Sequence, residues 1–240
     1  AVRRGARAPD FDLDAALADV LSGLGITDHV ITAVLREAEY PAQVDAWGAS
    51  EFTMLAAAVR QRAKPIVLCA NKVDLAAADT IRELHAETDA VMTAAIAERT
   101  LRRGADAGVL EYRPGDDTFR VTGDLDPGQR AGLDAIADLL DRFGSTGVQA
   151  TIDRAVYDRL GLITVYPVQN ESRWTDGSGQ MLPDALLLPT GATPKDLAYA
   201  VHTDIGEGYL YAVDARSQRR IGESTMLNEG AVVKIVSTAD

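Results

Sequence analysis

The stretch Lys64-Pro-Ile-Val-Leu-Cys-Ala-Asn-Lys-Val-Asp-Leu75 decides how the rest of this chain is read. Its apolar run, Pro65 to Cys69, is continuous rather than alternating, the pattern of a strand buried on both faces of a parallel sheet. Open α/β sheets bind ligands at the carboxyl edge of such strands, and Asn71, Lys72 and Asp74 leave that edge together. A carboxylate is an acceptor with two oxygens. Guanine presents two neighbouring donors on one edge, N1–H and the exocyclic N2–H, so Asp74 can meet both; adenine has no such pair. A buried carboxylate left unpaired against adenine costs about 1–3 kcal/mol or more, the scale on which hydrogen-bonding pockets reject a wrong analogue. The Lys72 stem can lie over the ring face, and the Asn71 amide can reach N7 while bracing the loop. The competing reading is a turn in which Asn and Asp cap a helix starting near Ala77.

Around this stretch the chain divides by period. Residues 10–63 read as three amphipathic helices, one opening at Asp12 and ending at Gly23 and Gly25, a second capped by Thr27 or Asp28, a third beginning at Ser50-Glu51. After the strand come a helix over 79–87, a short strand over 89–92 and a helix over 95–103. Pro114-Gly115-Asp116-Asp117 joins two short apolar runs as a hairpin turn. Two more helices span 127–142 and 148–160. Beyond Gly161 the pattern becomes strand-rich, with strands over 162–168, 185–188, 209–213 and 231–236 and a helix over 194–201. The domain boundary is placed there, giving units of residues 1–160 and 161–238.

Bulk composition narrows the function classes. The 240 residues are 47% hydrophobic, enough for one good core or two modest ones. No apolar run reaches the roughly 18 residues of a membrane span, and Ala-Val-Arg-Arg-Gly at the start lacks the apolar stretch of a secretory signal. One cysteine, Cys69, excludes an internal disulfide framework and fits a reducing cytoplasm. Three scattered histidines with no thiol partners argue against a metal site. The net charge of −12 is spread along helices rich in Asp, Ala and Arg, which suits a halophile's solvated surface. At molar salt the Debye length is about 3 Å, so the charge says little about partners. From Leu186 onward five basic residues face seven acidic ones, so this part escapes most of the acidification.

Asn-Lys-x-Asp after an apolar strand resembles the base-recognition motif of GTPases. Those proteins close the base pocket with a Ser-Ala turn after the next strand; Met92-Thr93-Ala94-Ala95 stands there, with Ala94 at the serine position. The resemblance implies that the Ala95 backbone N–H serves the base carbonyl. A phosphate cradle of the form Gly-x-x-x-x-Gly-Lys-Ser/Thr does not occur in the 240 residues. Gly144-Ser145-Thr146-Gly147 is the nearest string; without a Lys or a preceding strand, it reads first as a tight turn between helices.

Over essentially its whole length the sequence resembles the C-terminal part of an archaeal YchF-type, Obg-related GTPase. The resemblance is carried by Lys64 to Asp74, by Asp141-Arg-Phe-Gly-Ser-Thr-Gly-Val-Gln149, and most densely by Leu188-Pro-Thr-Gly-Ala-Thr-Pro-Lys-Asp-Leu-Ala-Tyr-Ala-Val-His-Thr-Asp204. The last stretch, with Gly206, Gly208, Tyr211-Ala212 and Val232 to Val236, looks like a TGS domain of β-grasp fold. The fold class implied is α/β, a partial P-loop GTPase domain with helical insertions, followed by an α+β β-grasp (TGS) domain. The resemblance implies a cytoplasmic protein with guanine nucleotide as ligand, ribosome or RNA as a partner through TGS, and no membrane. GTP or GDP with Mg²⁺ is its cofactor in an intact family member; none is assigned to this chain alone, and no catalytic or metal residue is named. Where many YchF relatives carry Glu and prefer ATP, Asp74 points back to guanine. The site set is Asn71, Lys72, Asp74, Thr93, Ala94 and Ala95 for guanine. Lys195, His202, Tyr209, Tyr211, Arg216, Arg219 and Arg220 are candidates for an RNA or partner surface. The alternative is a non-catalytic module that binds RNA, the ribosome or a protein through the TGS surface.

Overall fold

The computed structural model describes residues 11–26, 28–37, 40 and 44–239, which divide into compact units over Ala1–Ile66 and Val67–Asp240. The first unit is helical: α1 (Leu13–Leu21), α2 (Asp28–Glu37) and α3 (Ala49–Ala63). Asp12 caps α1 by accepting from the Ala15 N–H at 3.2 Å, and the Glu51 carboxylate accepts from Gly48 N–H at 2.7 Å to cap α3. Their apolar stripes meet in one core of Leu17, Ile31, Val34, Trp47, Leu55 and Val59. Trp47 is stacked on Tyr40 and meets Phe52 edge-on. Thr27, expected as a cap, lies outside the described residues.

The second unit opens with β1 (Cys69–Asn71), crosses through α4 (Ala78–Glu87) and returns in β2 (Val91–Thr93). The two strands are parallel, with Asn71 opposite Thr93. Here the structure departs from the reading of a strand buried on both faces. Leu68 is 53% exposed and Cys69 is exposed as well. The reason is topological: this sheet has two strands among the described residues, so one edge of β1 has no neighbour.

From β2 the chain enters α5 (Ala95–Asp106), a hairpin of β3 (Leu110–Glu111) and β4 (Arg120–Val121), and α6 (Pro127–Phe143). Helix α6 starts with a reciprocal cap: Asp126 accepts from Gln129 N–H at 2.8 Å and Gln129 from Asp126 N–H at 3.0 Å. It ends at Gly144 in the left-handed conformation. The short α7 (Val148–Asp153) widens into a π turn over Arg154–Arg159. Val73, Ile81, Met92, Ala94, Ala97, Leu101, Leu133 and Leu140 form the core beneath these elements.

The rest of the unit is one five-stranded sheet in the order β6-β5-β9-β7-β8. Its strands are β5 (Leu162–Val168), β6 (Leu186–Pro189), β7 (Tyr209–Asp214), β8 (Arg219–Ile221) and β9 (Ala231–Ser237). The central pair β5 and β9 is parallel and its flanking pairs are antiparallel, the β-grasp arrangement. Helix α8 (Pro194–Val201), capped by Thr193, lays Leu197 against Ile163, Val165, Leu188, Ala212 and Val233. A short α9 (Thr203–Glu207) completes the crossover to β7.

Candidate functional site

At the carboxyl end of β1 the backbone turns sharply, and Lys72 takes φ = 69°. A lysine in the left-handed region costs about 1–2 kcal/mol, and such strain clusters at ligand-binding positions. The Asn71 side chain holds the turn. Its Oδ1 accepts from the Lys72 N–H at 2.9 Å and from the Ala95 N–H at 3.1 Å. Because both bonds fall on the oxygen, the Asn71 Nδ2 remains a donor with no acceptor among the described residues, the polarity that a purine N7 would need.

Val73 is buried beneath the loop, and its N–H donates to Thr93 O at 3.2 Å. The Asp74 and Lys72 side chains are exposed, with no hydrogen-bond or ion-pair partner among the described residues. Asp74 therefore stands free to receive a donor pair from outside the chain. Beside it, Leu75 is 80% and Ile96 58% exposed. Together with Asp74 they line one end of a largely apolar groove of about 880 Å³ between α5 and α6. Exposed aliphatic side chains next to an unpaired carboxylate offer a planar ring a floor. Leu75 reads in the sequence as part of the motif but not as a lining residue, and Ile96 has no role there; the signal of both was their place, directly after each recognition motif.

The structure brings all six guanine candidates to one place but gives them different tasks. Asn71, Lys72 and Asp74 form the loop. Ala95 supplies an N–H that the Asn71 oxygen already engages, so a base carbonyl must share it. Thr93 and Ala94 are buried and face the scaffold. The Thr93 hydroxyl receives the Cys69 S–H at 3.2 Å and donates to Val91 O, and the Ala94 N–H donates to Thr146 O at 2.9 Å.

Thr146 belongs to the Gly144–Gly147 turn, whose groups are committed to packing. The Thr146 hydroxyl is buried and donates to Glu98 at 2.6 Å, and Gly147 N–H donates to Ser145 Oγ. Gly147, at φ = 76°, abuts the Met92 carbonyl so closely that a Cβ would sit 1.9 Å from its oxygen.

On the β-grasp sheet the partner-surface candidates separate. Lys195 pairs with Glu223 at 2.6 Å, which raises its pKa, and His202 Nδ1 accepts from Asp204 N–H to cap α9. Arg216 donates to Gly230 O and lies over the Trp174 ring. Tyr209 packs against the core with its hydroxyl buried, and burial raises its pKa. Arg220 stacks 3.6 Å over the Tyr211 ring, and the exposed Arg219 side chain has no ion-pair or hydrogen-bond partner among the described residues.

Comparisons with known proteins match two segments of the chain. Residues 69–170 match the family described as "Obg-like GTPase YGR210-like, G4 motif-containing domain", and residues 179–237 match the TGS domain. The chain is 37% identical over 229 residues to an uncharacterized GTP-binding protein of Methanocaldococcus jannaschii, covering 93% of this chain and 58% of that protein. It is similar to the crystal structure of a GTP-binding protein from Pyrococcus horikoshii OT3, with TM-score 0.76 and 37% identity, over 99% of this chain and 64% of that one. The chain thus spans about three fifths of the length of these relatives, and its matched segments are similar to an Obg-like GTPase G4-motif domain followed by a TGS domain.

Proposed function

We propose that the loop Asn71–Asp74 and the turn Thr93–Ala95 form the base-recognition half of a GTP site. In this reading the chain corresponds to the C-terminal part of a YchF-type protein. The observation that carries it is the Asn71 side chain, whose oxygen ties the two segments together, while its amide nitrogen and the exposed Asp74 carboxylate have no partner among the described residues. Asn71 Nδ2 donates to N7, Asp74 accepts from N1–H and N2–H, and the Lys72 stem and Ile96 cover the ring faces. The chain supplies no Gly-x-x-x-x-Gly-Lys-Ser/Thr cradle, so Mg²⁺-dependent GTP hydrolysis is assigned to an intact family member, and this chain alone hydrolyses nothing.

Binding without phosphate contacts is weak, on the order of millimolar, or about −4 kcal/mol. The suitable test is a ¹H–¹⁵N NMR titration with GDP, XDP and ADP. Guanine is expected to bind about tenfold tighter than adenine, the size of one charged hydrogen bond. In Asp74→Asn the preference should move to xanthine, because the amide can donate to its 2-oxo group. An unchanged order of preference in that variant removes Asp74 from the pocket.

A second reading is an RNA or ribosomal contact through the TGS sheet. It is favoured by the Arg220–Tyr211 stack, a preformed platform for an unpaired base, with Arg219 beside it for phosphate. Lys195 and Arg216 are already engaged within the chain and add little to it.

A further inference from the structure

Glu98 is an acid in the wrong place by the usual rule. It occupies the fourth position of α5, in line with the buried Ala94, Ala97 and Leu101, and is itself only 4% exposed. A buried carboxylate persists when its oxygens are fully bonded, yet an apolar side chain of equal volume fills such a space at lower cost. Here each oxygen is used. Oε1 accepts from Arg102 Nε at 2.6 Å; Oε2 accepts from the Tyr112 hydroxyl at 2.7 Å and the Thr146 hydroxyl at 2.6 Å. Three separate segments converge on one side chain: its own helix, the residue after β3, and the turn between α6 and α7.

The chain of bonds leads on to the base loop. Thr146, fixed through its hydroxyl by Glu98, accepts the Ala94 N–H with its carbonyl. The next residue, Ala95, donates to the Asn71 oxygen. We propose that Glu98 is a positioning residue of the base pocket: it sets the Ala94–Ala95 turn, and through it the direction of the Asn71 amide, without touching the base. The role in base recognition rests on the guanine reading; the ordering of the turn can be measured without any nucleotide.

The test uses the full chain and amide hydrogen exchange by NMR, first free of nucleotide. In Glu98→Leu, exchange at Ala94 and Ala95 should accelerate about tenfold or more relative to the amides of β9. Glu98→Gln, which keeps one acceptor oxygen, should restore most of the protection. A role in stability alone would speed both regions alike and leave the ratio unmoved. Should Glu98→Leu fail to fold, Thr146→Val removes the same link with little change of shape and should loosen Ala94 and Ala95 to a lesser degree. The same samples are then titrated with GDP and ADP, and the guanine preference should fall in Glu98→Leu and recover in Glu98→Gln. An unchanged exchange ratio in the folded variant, or an unchanged guanine preference, overturns the role of Glu98. A wild-type chain that does not distinguish GDP from ADP overturns the guanine reading instead, whatever the exchange ratio shows.

Discussion

Gly147 and Gly144 share φ = 76° but differ in what surrounds them, and that difference can be measured as stability. An alanine Cβ at Gly144 meets nothing within 4 Å. Gly144→Ala therefore costs the left-handed strain alone, about 1–2 kcal/mol. At Gly147 the same Cβ would lie 1.9 Å from Met92 O, 2.9 Å from Met92 C and 3.0 Å from Thr93 Cα. All three are backbone atoms of β2, so no rotamer change relieves the overlap. The strand or the turn must move by on the order of 1 Å, at an overpacking cost of about 1–3 kcal/mol. The movement also strains the Ala94 N–H bond to Thr146 O, worth about 1 kcal/mol. Gly147→Ala should therefore lose about 2–4 kcal/mol more than Gly144→Ala, a large share of a domain's usual 5–15 kcal/mol. Urea unfolding followed by the methyl resonances of Met92 and Leu101 reports the unit that holds both glycines. Equal losses in the two variants would refute the claim that close approach of the α6–α7 turn fixes β2.

Two other expectations rest on buried polar groups. The Tyr209 hydroxyl has no hydrogen-bond partner among the described residues, and burying one unpaired costs about 1–3 kcal/mol; Tyr209→Phe should raise the melting temperature by a few degrees, whereas a fall would show the hydroxyl to be bonded. Glu98 gives an acid dependence: burial pushes its carboxyl up, but the bonds from Thr146, Arg102 and Tyr112 prevail and hold it below the ordinary 4.5. With the folded pKa depressed, its stabilisation is complete above 4.5 and is lost as pH falls through the folded value. Melting temperature against pH should drop less steeply below that point in Thr146→Val than in the wild type, and equal slopes would count against the bond.

Much of the fold was legible because the signals were local. The helix starting at Pro127 reads to within a residue of its observed end, and Pro114 to Asp117 announces the hairpin. What failed depended on neighbours. An apolar run such as Pro65 to Cys69 has the same composition whether its strand has one sheet partner or two, so the exposure of Leu68 could not be read from it. Strand β8 escaped because Arg219 and Arg220 look like the end of a hairpin, although Val213 lies opposite Arg220 in the ladder. Glu98 left a trace: an acid within the apolar stripe Ala94, Ala97, Leu101. Its partners Tyr112 and Thr146 lie 14 and 48 residues away, so nothing local identified them.

The distribution of order across the site bears on what binding by this chain can look like. The parts beneath the loop are fixed: Thr93, Ala94, Thr146 and Glu98 are buried and held by hydrogen bonds within the unit. The parts that would touch a base, Asp74 among them, are exposed to solvent. An exposed carboxylate gains little from each hydrogen bond, because water competes for the same oxygens. Discrimination of several thousandfold requires that those oxygens be buried and left unpaired by the wrong base. In the proposed site the Lys72 stem and Ile96 would cover the ring faces while the carboxylate stays exposed, so the penalty against adenine would be partial and the preference expected is near tenfold. The ratio between bases, rather than affinity for either, is the quantity that reports on this half of the site.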